Sequence, residues 1–229
     1  LTGLNTFSGS TTVGRSVLII NSIADWNTGV ASSLGAPMTL SDATIRMNPG
    51  SATAPSWLQY TGTGHSSNRP FSLTDTAPNS PAIIDASGSG KLTLTGSVAN
   101  AGASTKTLIF TGTGVGELSG AIYDNSATNY TSVAKAGAGT WILSGSNQYT
   151  GVTTGSAGVL RLSSANALPG GIGATASGPA SGLTIAGGVI GLGNGDFQRT
   201  LGTGSANVQW TAAGGFAAFG ADRTVNFGG

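Results

Sequence analysis

Cysteine is absent from this chain, histidine occurs once, and charged residues make up only 7% of its 229 positions. Without cysteine there can be no disulfide, no thiolate nucleophile and no thiolate metal site. Soluble globular proteins carry about 25% charged residues, so the water-facing surface here has to be built from Thr, Ser, Asn and Gly. The net charge of +1 comes with no run of Lys or Arg and no acidic tail. Nucleic acid and anionic membrane surfaces therefore find no electrostatic footprint. The longest apolar run near the start, Val17 to Ile20, falls far short of the roughly 20 residues a membrane-spanning helix needs. No initiator Met and no basic-then-apolar leader open the sequence, so Leu1 reads as the first residue of a segment or processed form.

What is present is apolar material, 38% of the chain, distributed in short runs. That amount supports a substantial core in one elongated domain or two compact ones. The runs are Thr39-Leu40, Thr44 to Met47, Ser56 to Tyr60, Ala82 to Ile84, Lys91 to Thr95, Thr107 to Phe110, Thr140 to Leu143 and Gly158 to Leu162. Leu183 to Ile185, Val189 to Leu192, Val208 to Trp210 and Thr224 to Phe227 follow. Lys91–Thr95 and Val159–Leu162 alternate apolar with polar, as strands with one buried face do. No window holds a helical apolar stripe, and the expected class is all-β with negligible helix.

An internal repeat organises these runs. The segment from Leu1 to Leu18 realigns without a gap 142 residues later, from Leu143 to Leu160. Leu1/Leu143, Gly3/Gly145, Asn5/Asn147, Gly9/Gly151, Thr11/Thr153, Thr12/Thr154, Val17/Val159 and Leu18/Leu160 are identical, and Phe7/Tyr149 keeps an aromatic ring. Glycine at such positions permits positive φ where a strand corners, and asparagine tolerates the left-handed region while its side chain bonds nearby backbone. The aromatic residue can cover the core or pack between turns, and Thr-Thr re-enters a strand. Strand centres near Leu94, Leu108, Ile142 and Leu160 are unequally spaced, which suits a solenoid whose turns bury their apolar faces only against one another.

The stretch GAGTWILSGSNQYTGVTTGSAGVLRL, Gly137 to Leu162, closely resembles the passenger-associated transport repeat of bacterial autotransporter-type proteins. Repeat copies are assigned to residues 1–20 and 137–162, the first truncated at its front. The resemblance implies a right-handed parallel β-helix, secretion across the bacterial envelope and exposure at the cell surface. Residues 1–229 are then one β-helical segment of a longer repeat protein. Coils of about 20 to 25 residues stacked at roughly 4.8 Å would make it a rod of roughly 45 Å.

Candidate sites are sparse. His65 lies in a loop composition, with Ser66 and Asp75 as the available triad partners. The acids Asp25, Asp42, Asp75, Asp85, Glu117, Asp124, Asp196 and Asp222 are spread singly, whereas sugar cleavage needs two carboxylates on one bond. The Gly191–Asp196 stretch lacks the glycine that a calcium nonapeptide requires and reads as a turn. Gly112–Gly116 and Gly202–Gly204 precede no helix that could cradle phosphate, and read as coil corners. Asn129 to Thr131 forms a lone Asn-x-Thr sequon. No catalytic residue, cofactor or metal site is expected. The reading is a non-catalytic extracellular scaffold, a stalk or filament segment with a possible adhesive role. The alternative is a polysaccharide-binding or polysaccharide-processing β-helix in which Trp26, Trp57, Tyr60 or Tyr130 stack on sugar rings, with Trp141 and Trp210 in the core. The expected partners are further β-coils of the same chain or of a neighbouring subunit, because neither Leu1 nor the run from Thr224 to Gly229 looks like a polar cap.

Overall fold

A computed structural model of the chain describes residues 1–48, 53–173 and 181–228; Gly229, which closes the expected C-terminal run, lies outside them. In chain order the strands are β1 (Thr12–Val13) and β2 (Val17–Ile20), then after a one-turn helix α1 (Leu40–Ala43), β3 (Ile45–Met47), β4 (Ser56–Tyr60) and β5 (Thr63–Ser67). The next turns are β6 (Phe71–Leu73), β7 (Ser80–Ala86) and β8 (Gly90–Leu94), then β9 (Val98–Asn100), β10 (Lys106–Thr111) and β11 (Val115–Leu118). They continue through β12 (Ile122–Tyr123), β13 (Thr131–Lys135) and β14 (Thr140–Leu143) to β15 (Thr153–Gly155) and β16 (Val159–Leu162). The last are β17 (Leu183–Ile185), β18 (Val189–Leu192), β19 (Phe197–Gln198), β20 (Val208–Trp210), β21 (Gly215–Ala218) and β22 (Val225–Asn226).

These strands stack into three parallel faces. The first runs β1-β3-β6-β9-β12, the second β2-β4-β7-β10-β13-β15-β17-β20, and the third β5-β8-β11-β14-β16-β18-β21, with β19 paired to β22. The chain is a β-solenoid. Ile83 stands opposite Ile109 and Ile109 opposite Ala134, so a regular coil takes about 25 residues, the upper end of the expected range. Eight strands on the second face make the rod roughly 35 Å long rather than 45 Å. The stretch Thr39-Leu40 does not extend a sheet. Thr39 caps α1, its side chain accepting from the Asp42 amide, because a threonine three residues before an acid is a helix-start signal as well as a strand residue.

Parallel in-register pairing turns each inward position into a column along the axis. Leu94, Leu118, Leu143, Leu162 and Leu192 form one on the third face, all buried. A second column runs Leu92, Gly116, Trp141, Leu160, Ile190 and Phe216. Trp141 is fully buried, packs on Phe110 with ring centroids 4.4 Å apart and donates Nε1–H to the Thr111 carbonyl at 2.8 Å. Its indole fits because its column neighbour is glycine: a Cβ on Gly116 would lie 2.5 Å from the ring.

Trp210 departs from its expected core role. It occupies an inward column above Ile185, yet it is 46% exposed, since no further described coil covers it. It packs edgewise on Phe216 and Phe227.

Gly116→Ala should lower stability by about 1–3 kcal/mol through overpacking against Trp141, read as a lower urea midpoint at unchanged far-ultraviolet circular dichroism. An unaltered midpoint would show that the indole can swing aside.

Candidate functional site

The residues of the repeat motif use their chemistry on neighbouring coils. Asn5 donates its amide N–H to the Ser32 carbonyl (2.9 Å) and Nδ2–H to the Ser33 carbonyl (3.0 Å). Asn147 makes the same pair of bonds, from its amide to Asn166 (3.0 Å) and from Nδ2 to Ala167 (2.7 Å), and its Oδ1 also accepts the Ile122 amide. Neither asparagine is left-handed, and Gly3, Gly9, Gly145 and Gly151 all lack positive φ, contrary to expectation. Glycine is required at the second copy for close approach instead. A Cβ on Gly145 would sit 2.6 Å from the Gly120 carbonyl oxygen, and one on Gly151 2.4 Å from that of Thr131. Leu143, Thr153 and Tyr149 are buried, the Tyr149 hydroxyl meeting Thr153 Oγ1 at 2.7 Å. At the first copy, Leu1 and Phe7 are exposed. Thr12 and Thr154 fall in β1 and β15, while Thr11 just precedes β1.

Each of the candidate acids with a resolved contact acts as a staple. Asp25 Oδ1 accepts the Asn68 amide, Asp124 holds the Thr131 and Thr150 amides, and Asp196 Oδ1 accepts the Thr224 amide. Asp42 belongs to the cap of α1. Asp85 is buried and takes Trp57 Nε1–H and Gln59 Nε2–H, both at 3.2 Å, as well as the Ser87 hydroxyl. Glu117 joins Lys91 (2.7 Å) and Ser144 (2.6 Å) across adjacent coils. Burial would raise its carboxyl, but Lys91, Ser144 and Arg161 hold it below its ordinary value. Asp75 is likewise pushed up by burial and brought lower by Ser80, the Ala77 and Thr76 amides and Lys106. Among the described residues no three His, Cys, Asp or Glu side chains gather as a metal site.

His65 lies in β5 rather than in a loop, half-buried, in an inward column opposite Leu92. Its Nδ1 meets Tyr60 Oη at 2.6 Å, and that oxygen accepts the Gly64 N–H at 2.7 Å. The strand β5 is the edge of the third face, and the tyrosine hydroxyl thus satisfies an amide that no neighbouring strand takes. Tyr60 is buried and unavailable to a sugar, Trp57 faces outward but is half-buried against Asp85, and Tyr130 is exposed just before β13. Trp26 is half-buried in the segment after β2, its amide bonded to Asn68 Oδ1.

Four of the nine basic residues are buried, and sequence patterning does not single them out. Lys135 sits in the inward column between Phe110 and Gly155, where an apolar side chain is the ordinary occupant. Its Nζ donates to the carbonyls of Ala136 (2.5 Å), Gly137 (2.8 Å) and Ala157 (3.1 Å). Lys106 Nζ reaches Ala77 O and Ser104 Oγ. Arg69 donates Nε–H to Ala43 O (2.8 Å) and Nη1–H to Leu34 O (2.6 Å). Arg199 donates Nη2–H to the Pro169 and Gly171 carbonyls, both at 2.6 Å, and Nη1–H to Ser181 O. The cations serve main-chain oxygens at corners that no ladder satisfies.

Burial brings the Lys135 amine down to about 8 from the ordinary 10.5, and lowers Lys106 in the same direction. Between those pH values the folded chain binds fewer protons than the unfolded one, so stability rises with pH. Burial raises Tyr60 and Tyr149 above 10.0; there the folded chain keeps protons that the unfolded one releases, and stability falls with further alkalinity. Urea midpoints should therefore climb from pH 8 towards about pH 10 and then decline, and Lys135→Met should flatten most of the climb. A climb unchanged in that variant would assign it to another group.

A family model described as passenger-associated-transport-repeat matches residues 1–15 and 133–162. The adhesin BmaC autotransporter of Brucella suis biovar 1 (strain 1330) is 37% identical over 147 residues, covering 62% of this chain and 4% of that protein. The chain thus spans a small fraction of the curated relative's length. No solved structure matches. Residues 1–15 and 133–162, whose asparagine, aromatic and threonine positions lie in stacked parallel coils, are thus the part of the chain that is similar to passenger-associated transport repeats.

Proposed function

We propose that the chain is a non-catalytic segment of a passenger displayed outside a bacterial cell, a β-solenoid that spaces and presents adhesive surface. The observation that carries this reading is where the ionisable groups are spent: the acids with resolved contacts bond amides, hydroxyls, amines or indole N–H groups of the fold, and four basic residues hold buried carbonyls. Such groups stabilise coil corners. The 37% identity to an adhesin supports adhesion as the activity of the larger protein.

In the full-length protein, an epitope inserted at the exposed Thr28 should be reached by antibody on intact cells. Deleting 1–229 should reduce attachment to host surfaces. Replacing it with an unrelated solenoid of equal length separates the two roles: restored attachment means a spacer, lost attachment means adhesive surface. Antibody access only after permeabilisation would overturn the surface assignment.

The partner expected at the apolar end is a further β-coil. There Trp210, in an inward column and 46% exposed, packs on Phe216 and Phe227, which are themselves only partly buried. The isolated chain should self-associate with rising concentration in light scattering, and Trp210→Ser with Phe216→Ser should weaken that association. A wild type that stays monomeric at all concentrations would refute the coil-stacking partner.

A further inference from the structure

The two copies of the motif do not lie on the same side of the rod. β1 and β2 belong to the first and second faces, whereas their sequence counterparts β15 and β16 belong to the second and third. After β2 the chain passes the third face without a strand, so that face starts at β5. The first face stops at β12 because the chain already passes it without a strand between β14 and β15, and the described residues between β16 and β17 add none.

In both places the segment replacing the strand is held in the same way. It returns to the motif's asparagine, which takes two successive carbonyls, Ser32 and Ser33 in one case and Asn166 and Ala167 in the other. The next residue, Leu34 or Leu168, is a leucine with no exposed surface. An arginine of the following coil then reaches down to the carbonyls beyond: Arg69 to Leu34 and Ala43, Arg199 to Pro169 and Gly171. Each guanidinium is buried among main-chain oxygens with no carboxylate bonded to it; the Arg199 fork takes two carbonyls of one bend, Pro169 and Gly171, while Arg69 joins Leu34 to Ala43 through Nη1 and Nε and leaves Nη2 without a partner. In the first segment the base is also closed by Ser22 and Ser33, whose hydroxyls meet at 3.0 Å. Thr28 to Val30 lie outside that closure, exposed, while the exposed Asp25 is stapled to the Asn68 amide and the Asn27 amide to the Pro37 carbonyl.

We infer that each motif is the opening part of a larger unit, a coil plus a strap, in which asparagine from below and arginine from the next coil pin a segment that replaces one face. The unit recurs turned by one face, which places the two straps on adjacent sides of the rod. Arg69 and Arg199 are its positioning residues. In the first strap Asp25 and Trp26 are still tied to Asn68 of the next coil, and the residues from Thr28 to Val30, bonded within their own turn, are the part that can change without disturbing the coils.

Hydrogen exchange on the full chain tests this. Arg69→Met should speed exchange of amides in residues 21–44 by about tenfold while those of β7, β10 and β13 stay unchanged. Arg199→Met should do the same for residues 163–173 and spare 21–44. Arg69→Lys, which keeps the charge but loses the fork, guards against a variant that fails to fold and should give a smaller rise in 21–44. A four-residue Gly-Ser insertion after Thr28 should leave exchange in every sheet unaltered. Acceleration spread over all coils in the arginine variants, no acceleration at all, or unravelling of β2 and β4 by the insertion would each overturn the coil-plus-strap unit.

Discussion

Main-chain carbonyls that turn inward at the corners of a stacked coil are the constraint on which the rest of this structure depends. Along the three faces every strand has a parallel neighbour, and the ladder satisfies its own polar groups. At a corner the chain leaves the ladder, and a carbonyl facing the core has no strand to bond. An unsatisfied buried group costs about 1–3 kcal/mol, and a rod multiplies that cost coil by coil. This chain meets it with long cationic side chains bonded to oxygen and not to carboxylate. The Lys135 amine takes three carbonyls at one corner, and Arg199 takes carbonyls from three residues at another. Desolvation pulls both groups towards neutrality, so the bonds must outweigh a real cost of burying charge.

The same constraint explains the glycines. Coils stack close enough that a methyl group at a corner meets the carbonyl of the coil below, as a Cβ at Gly90 would at 1.8 Å from Thr63 O or at Gly120 at 2.0 Å from Gly96 O. Glycine is chosen there for thickness. Backbone conformation is the second reason, as at Gly112, where φ is +112° and the Ala86 carbonyl also lies close.

How much could be read beforehand follows from whether a signal is local. The leucine column at Leu94, Leu143 and Leu162 belongs to runs whose alternation is visible in four or five residues, so the all-β class and most strands were legible. The gapless repeat exposed the asparagine and aromatic positions. Its glycines were legible as important and misread in cause, because the carbonyl that excludes a Cβ at Gly145 belongs to Gly120, 25 positions away. Arg69 and Arg199 left no local trace at all. Their partners are the carbonyls of a previous coil, and the asparagine-to-leucine spacing differs between the copies, so alignment of residues cannot bring them together. The glycine, serine and proline neighbours of His65 read as a loop, yet register with Leu92 makes it a strand residue.

Column geometry also divides the labour between inside and outside. On the second face the outward column runs Val17, Trp57, Ile83, Ile109 and Ala134, then Thr154, Thr184 and Gln209. It passes from apolar to hydroxyl and amide side chains without one charge. Parallel register gives such a column its continuity, since every coil contributes the same position at the same height. A surface of this kind varies along the axis by substitution and around the axis by which face a strap replaces. The buried columns and the pinned corners are insulated from both kinds of change, so the outer face of the rod can diverge while the stacking that supports it stays the same.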